Sequence, residues 1–284
     1  MRGHIYEAVD PKGLIVFSHG IWSGPEDYLT LITWLVDHNW NVFTYSYTGY
    51  NNSDGKWAGG LPRSVLDLHA ALAYIESDPE LQGMKRVILG HSWGAYAAAA
   101  VFNFSHSADA VITMSGFSDP VEISVDVAAS VVGPLGRSMG WAVRLFNRIL
   151  FGRYGRLTAV NGINRTDCPV LILHGENDSF INYQTSSIPA HRSEITNSKA
   201  AFLTLTDPLQ SDHNNYFCSP EATRKFNTYK EKSDALKQKY TDKQELKAAR
   251  RQLREQADIA ALNEANTDLY EQIEEFLKAA IYTA

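Results

Sequence analysis

The chain comprises 284 residues, 44% hydrophobic and 20% charged, an ordinary globular balance that excludes a disordered or fibrous protein. A formal net charge of −6 argues against a nucleic-acid partner. The longest largely apolar stretch, residues 93–102, is about half of the roughly 20 residues a membrane-spanning helix needs. The first residues, Met1 to Glu7, lack a secretory-signal pattern, and Cys168 with Cys218 makes neither a disulfide framework nor a metal spacing, so a reducing, cytoplasmic location is expected.

Taken in chain order, short apolar runs alternate with helical patterns. Residues 4–9 read as a first strand, and residues 14–17, 41–45, 86–89, 110–113, 170–173 and 201–205 as further ones. These runs are continuous rather than alternating, which implies burial on both faces and hence a mostly parallel sheet flanked by helices, an α/β fold. Ser23 with Glu26 has the pattern of a capping box opening a helix through Tyr28, Ile32, Leu35 and Val36, which Asn39 ends. Val65, Leu68, Leu72 and Ile75 repeat the helical spacing before the strand at 86–89. Helices are then expected at residues 121–131 and 141–151, parted by Gly133-Pro134-Leu135-Gly136. Ser219-Pro220 reads as an N-cap with proline at the first helical position, and Thr241 with Gln244 as a second capping box. Between residues 221 and 258 stand 11 basic and 7 acidic side chains, a local +4 on a body of −10. This hairpin is read first as a solvated helix pair and second as a surface for a partner or for self-association. A last amphipathic helix holds Leu269, Ile273, Phe276, Leu277 and Ala280.

Gly90-His91-Ser92-Trp93-Gly94 lies between a strand and an alanine-rich helix, the setting of a nucleophile elbow. Flanking glycines are needed there because side chains at 90 and 94 would strike the neighbouring strand and helix. A serine hydroxyl needs a base, and the base needs an acid to fix its tautomer. Loops expected at the same sheet edge supply His213 as base and Asp178 as acid, with Glu176 and Asp119 as the competing acids and Asp212 as a turn residue. An oxyanion would be met by the Trp93 N–H and, from the loop Ser18-His19-Gly20-Ile21-Trp22, by the Ile21 N–H. His19, His91, His174 and His213 converge on this edge without the spacing of zinc ligands, so no metal is expected. His191 reads as a surface residue.

These motifs, in this order, resemble the α/β-hydrolase superfamily, and within it the monoacylglycerol-lipase and serine-aminopeptidase-like branch. The resemblance covers residues 13–213 and the final helix. It implies Ser92, Asp178 and His213 as catalytic triad, Ile21 and Trp93 as oxyanion hole, and residues 117–164 as a cap over the acyl pocket. The division that follows is a core of residues 1–116, 165–218 and 266–284, the cap at 117–164, and a basic helical hairpin at 219–265. The chain departs from the family where an aspartate and a Gly-x-Gly-x-Ser run are usual, carrying instead Ser46-Tyr47-Thr48-Gly49-Tyr50-Asn51-Asn52-Ser53, with asparagine expected in a left-handed position. A single strand precedes residue 14, where the family usually has a further strand or more.

The expected function is a serine hydrolase that cleaves carboxylic esters of small molecules through an acyl-enzyme, without a cofactor. Thioesterase, peptidase or acyltransferase chemistry on the same triad is the alternative, as is a non-catalytic binding module on the same fold. Aromatic residues cluster in the segments expected around the mouth, and Trp22, Trp141 and Phe146 are the expected substrate contacts; packing of cap against body is their other reading.

Overall fold

In the computed structural model, which describes residues 2–51, 53–55, 57 and 59–282, the six runs expected as strands from residue 14 onward each form one, whereas the first strand, expected at residues 4–9, falls at Arg2–Tyr6 because the Ala8 N–H is drawn off to Asn41 Oδ1. The strands are β1 (Arg2–Tyr6), β2 (Leu14–Ser18), β3 (Asn41–Ser46), β4 (Arg86–His91), β5 (Ala110–Met114), β6 (Val170–Gly175) and β7 (Ala200–Leu205). They make one seven-stranded sheet in the order β1-β3-β2-β4-β5-β6-β7. Only β1 is antiparallel to its neighbour, and this exposed edge strand shields β3.

Both faces of the sheet are covered, which is why β2, β4, β5 and β6 are buried along their whole length. On one face Leu31, Ile32 and Leu35 of α1 (Leu29–Asp37) pack with Leu269, Ile273 and Leu277 of the C-terminal helix against Ile15, Val87, Leu89 and Ile112. On the other, Val65, Leu68 and Leu72 of α2 (Arg63–Ser77) and the alanines of α3 (Trp93–Ala100) pack against Val16, Ile88, Val111 and Ile172. Every residue of α3 is buried. A helix of alanines lets its axis come close to strands on one side and to a second helix on the other.

The segment between β5 and β6 folds as α4 (Pro120–Val132), α5 (Pro134–Arg137), α6 (Gly140–Phe151) and α7 (Ala159–Ile163). After β7 come α8 (Pro220–Lys239), α9 (Lys243–Glu255), α10 (Ile259–Leu262) and α11 (Thr267–Tyr282). Ser219 caps α8 as expected, its hydroxyl accepting the Ala222 N–H at 3.0 Å. Two capping boxes are displaced. Pro25 opens a 3-10 turn that delays α1, so the Gly24 N–H donates to Asp27 Oδ2 at 2.9 Å while the Ser23 hydroxyl turns back to the Gly20 carbonyl at 2.8 Å. At α9 the cap falls on Asp242, whose carboxylate accepts the N–H groups of Gln244 and Glu245 and displaces the weaker hydroxyl of Thr241. Asn39 leaves α1 at φ +66° and Asn51 sits at φ +44°, both left-handed, whereas Asn52 lies outside the described residues.

The parallel register sets the site. Ser18 pairs with Gly90, His91 with Met114, and Gly175 with Leu205, so the loops after these strands start at one level of one edge. Chain direction across the sheet reverses between β2, which leads outward to β3, and β4, which leads the other way through β5 to β7. Open α/β sheets bind ligands in the crevice at such a reversal.

Candidate active site

Ser92 stands in that crevice, between β4 and α3, at φ +57° and ψ −116°. A non-glycine residue held there stores roughly 1–3 kcal/mol of backbone strain, which the surroundings must outweigh. They do so by hydrogen bonding: the Ser92 N–H donates to Met114 O at 2.8 Å, and its carbonyl accepts from Ala95 and Tyr96 at 3.0 and 3.2 Å. Close packing adds to this. A Cβ at Gly90 would overlap the backbone of Gly94, and one at Gly94 would overlap the carbonyl of Ser18, so both glycines are sterically required.

His213 reaches the serine from the loop after β7, its Nε2 lying 2.9 Å from Ser92 Oγ. Its Nδ1 lies 2.8 Å from Asp178 Oδ2, in the loop after β6. The other oxygen of Asp178 accepts the N–H groups of Phe180 and Ile181 at 2.9 and 2.8 Å, so the carboxylate cannot rotate without losing two bonds. Burial opposes its ionisation, but hydrogen bonds from His174 and His213 outweigh that and hold the carboxyl well below the usual range. Asp212 has a different job: its Oδ1 accepts the N–H of Ser179 at 2.9 Å and of His213 at 2.7 Å, tying the two loops together. Glu176 is exposed, and Asp119 caps α4 through the Val121 N–H at 2.7 Å. Among the described residues the ring of His213 is hydrogen-bonded to Asp178 and Ser92 and to neither of these.

Ile21 and Trp93, the expected oxyanion donors, lie in the loop after β2 and directly after Ser92. As the first residue of α3, Trp93 has no carbonyl within its helix to receive its N–H. Its indole donates to Leu61 O at 2.6 Å and its ring packs 4.5 Å from Tyr47, fixing the turn. The loop bearing Ile21 is held from beneath by tyrosines: Tyr47 donates to the His19 carbonyl at 2.9 Å, and the Gly20 N–H donates to the Tyr28 hydroxyl at 3.0 Å.

Sequence reasoning missed a chain of bonds that joins these loops. The Tyr28 hydroxyl donates to His91 Nδ1 at 2.7 Å, and His91 Nε2 then donates to the backbone carbonyl of His213 at 3.0 Å. His91 is thereby the link between the loop after β2 and the loop of the base. Burial, with the nearby His213, keeps it neutral by pushing its pKa well below the ordinary histidine range. His174 lies 3.2 Å from Asp178 Oδ2, a second donor on that oxygen. Burial brings His19 down to about 4. Among the described residues no group of three or more His, Cys, Asp or Glu is placed to hold a metal ion. Nothing in the run Gly90 to Gly94 signals this network, because it depends on a tyrosine sixty-three positions away.

The aromatic side chains expected around the mouth differ in exposure. Trp22, at φ +59°, is exposed, as are Trp57 and Trp141. Phe146 is 45% exposed with its ring 6.5 Å from that of Trp57. Helix α6 buries Gly140, Asn147 and Phe151 and turns Trp141, Leu145 and Ile149 outward. Tyr47 and Phe151 are packed inside. His191, expected at the surface, is instead a bridge between the segment carrying α4 and the body, 2.8 Å from Glu122 and 2.8 Å from Glu194.

A profile of the family described as serine aminopeptidase S33 matches residues 9–149. The chain is 25% identical over 174 residues to an uncharacterized protein, YfhR, of Salmonella typhi, covering 61% of this chain and 56% of that protein; it therefore spans little more than half the length of this relative. Among solved structures, an esterase of Pyrococcus furiosus is 15% identical with a TM-score of 0.53, over 73% of this chain and 77% of that one. A monoacylglycerol lipase of Paleococcus ferrophilus is 16% identical with a TM-score of 0.53, over 80% of this chain and 96% of that one. At such identities the likeness is one of fold. Among the described residues no helix is long and apolar enough to cross a membrane.

Proposed function

The chain belongs to the α/β-hydrolase superfamily, and from that premise we propose that it is a serine hydrolase cleaving carboxylic esters of small molecules through an acyl-enzyme. The observation that carries this reading is the unbroken line Ser92 Oγ to His213 Nε2 at 2.9 Å and His213 Nδ1 to Asp178 Oδ2 at 2.8 Å, at the carboxyl edge of a parallel sheet.

In this scheme His213 accepts the Ser92 proton as Oγ bonds to the ester carbonyl carbon. The carbonyl oxygen takes up the electron pair and is met by the N–H groups of Ile21 and Trp93. As the oxyanion collapses, the C–O bond to the alcohol breaks and the imidazolium returns its proton to the departing oxygen. Water, deprotonated by His213, then attacks the acyl carbon and frees the acid and Ser92. Asp178 remains ionised throughout, keeps the proton on Nδ1 and stabilises the imidazolium. The scheme consumes water alone and uses no cofactor. Residues 117–164 act in it as a cap that bears on acyl-chain selection, with Trp22, Trp141 and Phe146 as substrate contacts.

The direct test is labelling with a fluorophosphonate, followed by a panel of p-nitrophenyl esters of rising chain length beside thioester and aminoacyl arylamide substrates. Wild-type protein is expected to be labelled at Ser92 and to hydrolyse the oxygen esters, and Ser92→Ala to lose labelling and several decades of turnover with an unchanged fold. Ser92→Ala turnover within tenfold of wild type would defeat the assignment. Faster turnover of thioesters or arylamides would keep the triad and change the leaving group.

A further inference from the structure

The basic hairpin does more than cover the body. Its first helix, α8, buries Ala222 and Thr223 against the core, and Phe226, Asn227 and Lys230 follow at the spacing of that same helix face. This face looks onto the loop of the base across a cavity of about 450 Å³ lined by Phe180, His213, Asn214, Phe226, Asn227 and Lys230. The ring of Phe180 stacks on His213 at 5.2 Å between centroids, so one wall of the cavity is continuous with the imidazole that contacts Ser92.

The polar groups in it are unequally spent. Asp212, the one carboxylate lining the cavity, has its Oδ1 occupied by two backbone N–H groups, from Ser179 and His213. The neighbouring hairpin cations Arg224 and Lys225 are paired with Glu221, and Asp234, one turn beyond Lys230, is paired with Lys237 at 2.6 Å and meets Lys230 only as a more distant charge. Lys230 forms no ion pair within 4 Å among the described residues, and the side-chain amides of Asn214 and Asn227 have no hydrogen bond there. A cation and two free amides therefore share a cavity with two phenyl faces, a set that suits a flat or apolar group ending in an anion.

Chemistry fixes which half of an ester would enter. The imidazolium of His213 delivers its proton to the departing oxygen, so the alcohol portion lies against His213 and the acyl portion points away from it. We infer that the cavity between α8 and the His213 loop is a leaving-group subsite for esters whose alcohol carries a carboxylate or another anionic group, with Phe180 and Phe226 flanking that alcohol and Lys230 meeting its charge. This rests on the assignment of Ser92 and His213 proposed above.

The test compares 4-acetoxybenzoate with its neutral methyl ester, whose leaving groups differ chiefly in charge, for wild type, Lys230→Met and Lys230→Arg. Taking the ratio of kcat/KM for the two esters within each variant, and then comparing variants, cancels the intrinsic reactivity of the esters. Loss of one hydrogen-bonded charge contact should lower the charged-to-neutral ratio about tenfold in Lys230→Met, through KM, while Lys230→Arg retains it. The wild-type ratio should also fall as salt is raised, and that of Lys230→Met should not. An unchanged ratio in Lys230→Met, or fluorophosphonate labelling of Ser92 with turnover of neither ester, overturns the subsite alone. Absence of labelling overturns the assignment beneath it.

Discussion

Replacing Asp178 by Asn tests the line of bonds at its least replaceable point. Oδ1 accepts two backbone N–H groups, so the amide oxygen of an asparagine must stay there, and its NH₂ takes the place of Oδ2, 2.8 Å from His213 Nδ1. An NH₂ can only donate. The imidazole must then carry its proton on Nε2, which faces Ser92 Oγ at 2.9 Å and can no longer accept the serine proton. The expected loss is roughly 10⁴-fold in kcat, about 5.5 kcal/mol, with little change in KM. Steady-state hydrolysis of a p-nitrophenyl ester measures it, and Asp119→Asn and Glu176→Gln serve as controls expected to stay within about tenfold. A second readout is acid stability. The folded carboxyl is held below its unfolded value, so its contribution is present above the ordinary carboxylate pKa of 3.8 and is lost as pH falls below it. Asp178→Asn should flatten that acid limb. Activity within tenfold of wild type, or a worse defect in Asp119→Asn, would show that the acid lies elsewhere.

Burial holds His19 at about 4 against an ordinary 6.5, so between these values the unfolded chain binds a proton that the folded one refuses. Stability from this residue is therefore complete above 6.5 and falls by about 3 kcal/mol as pH drops to 4, and His19→Gln should remove that share; a wild-type-minus-variant difference independent of pH in urea melts would contradict this. Gly90→Ala places a Cβ in the Gly94 backbone and should lower the melting temperature by roughly 6–12 °C, whereas an unchanged melt would mean the elbow relaxes freely. Trp141→Ala and Phe146→Ala should alter the acyl-length profile by about tenfold in kcat/KM, roughly 1.4 kcal/mol, at unchanged stability; a uniform loss that tracks the melting temperature would assign α6 a covering role only.

The strands were legible because a sheet buried on both faces leaves few polar positions in the middle of its strands, as in the run Val87-Ile88-Leu89. Ser92, Asp178 and His213 were legible as an order of loops, since parallel strands send alternate connections to one edge, and the structure brings those three side chains into contact. Caps were less legible. Ser23 against Gly24, or Thr241 against Asp242, is decided by one residue of helix phase, which propensity does not resolve. The Tyr28–His91 bonds and the His191 bridge were invisible, because each joins residues far apart in sequence whose types are equally at home elsewhere.

The burial of the six tryptophans divides the protein optically. Trp40 and Trp93 are fully enclosed and Trp34 is half-buried, stacked on His38, whereas Trp57 and the proposed substrate contacts Trp22 and Trp141 are exposed. Emission from the enclosed pair should be blue and resistant to acrylamide until the fold is lost. Emission from the exposed three should be red and quenched in the native state. A ligand that settles against Trp22 and Trp141 would then protect the quenchable fraction without altering the protected one, so a single quenching titration distinguishes occupancy of the crevice from tightening of the whole molecule.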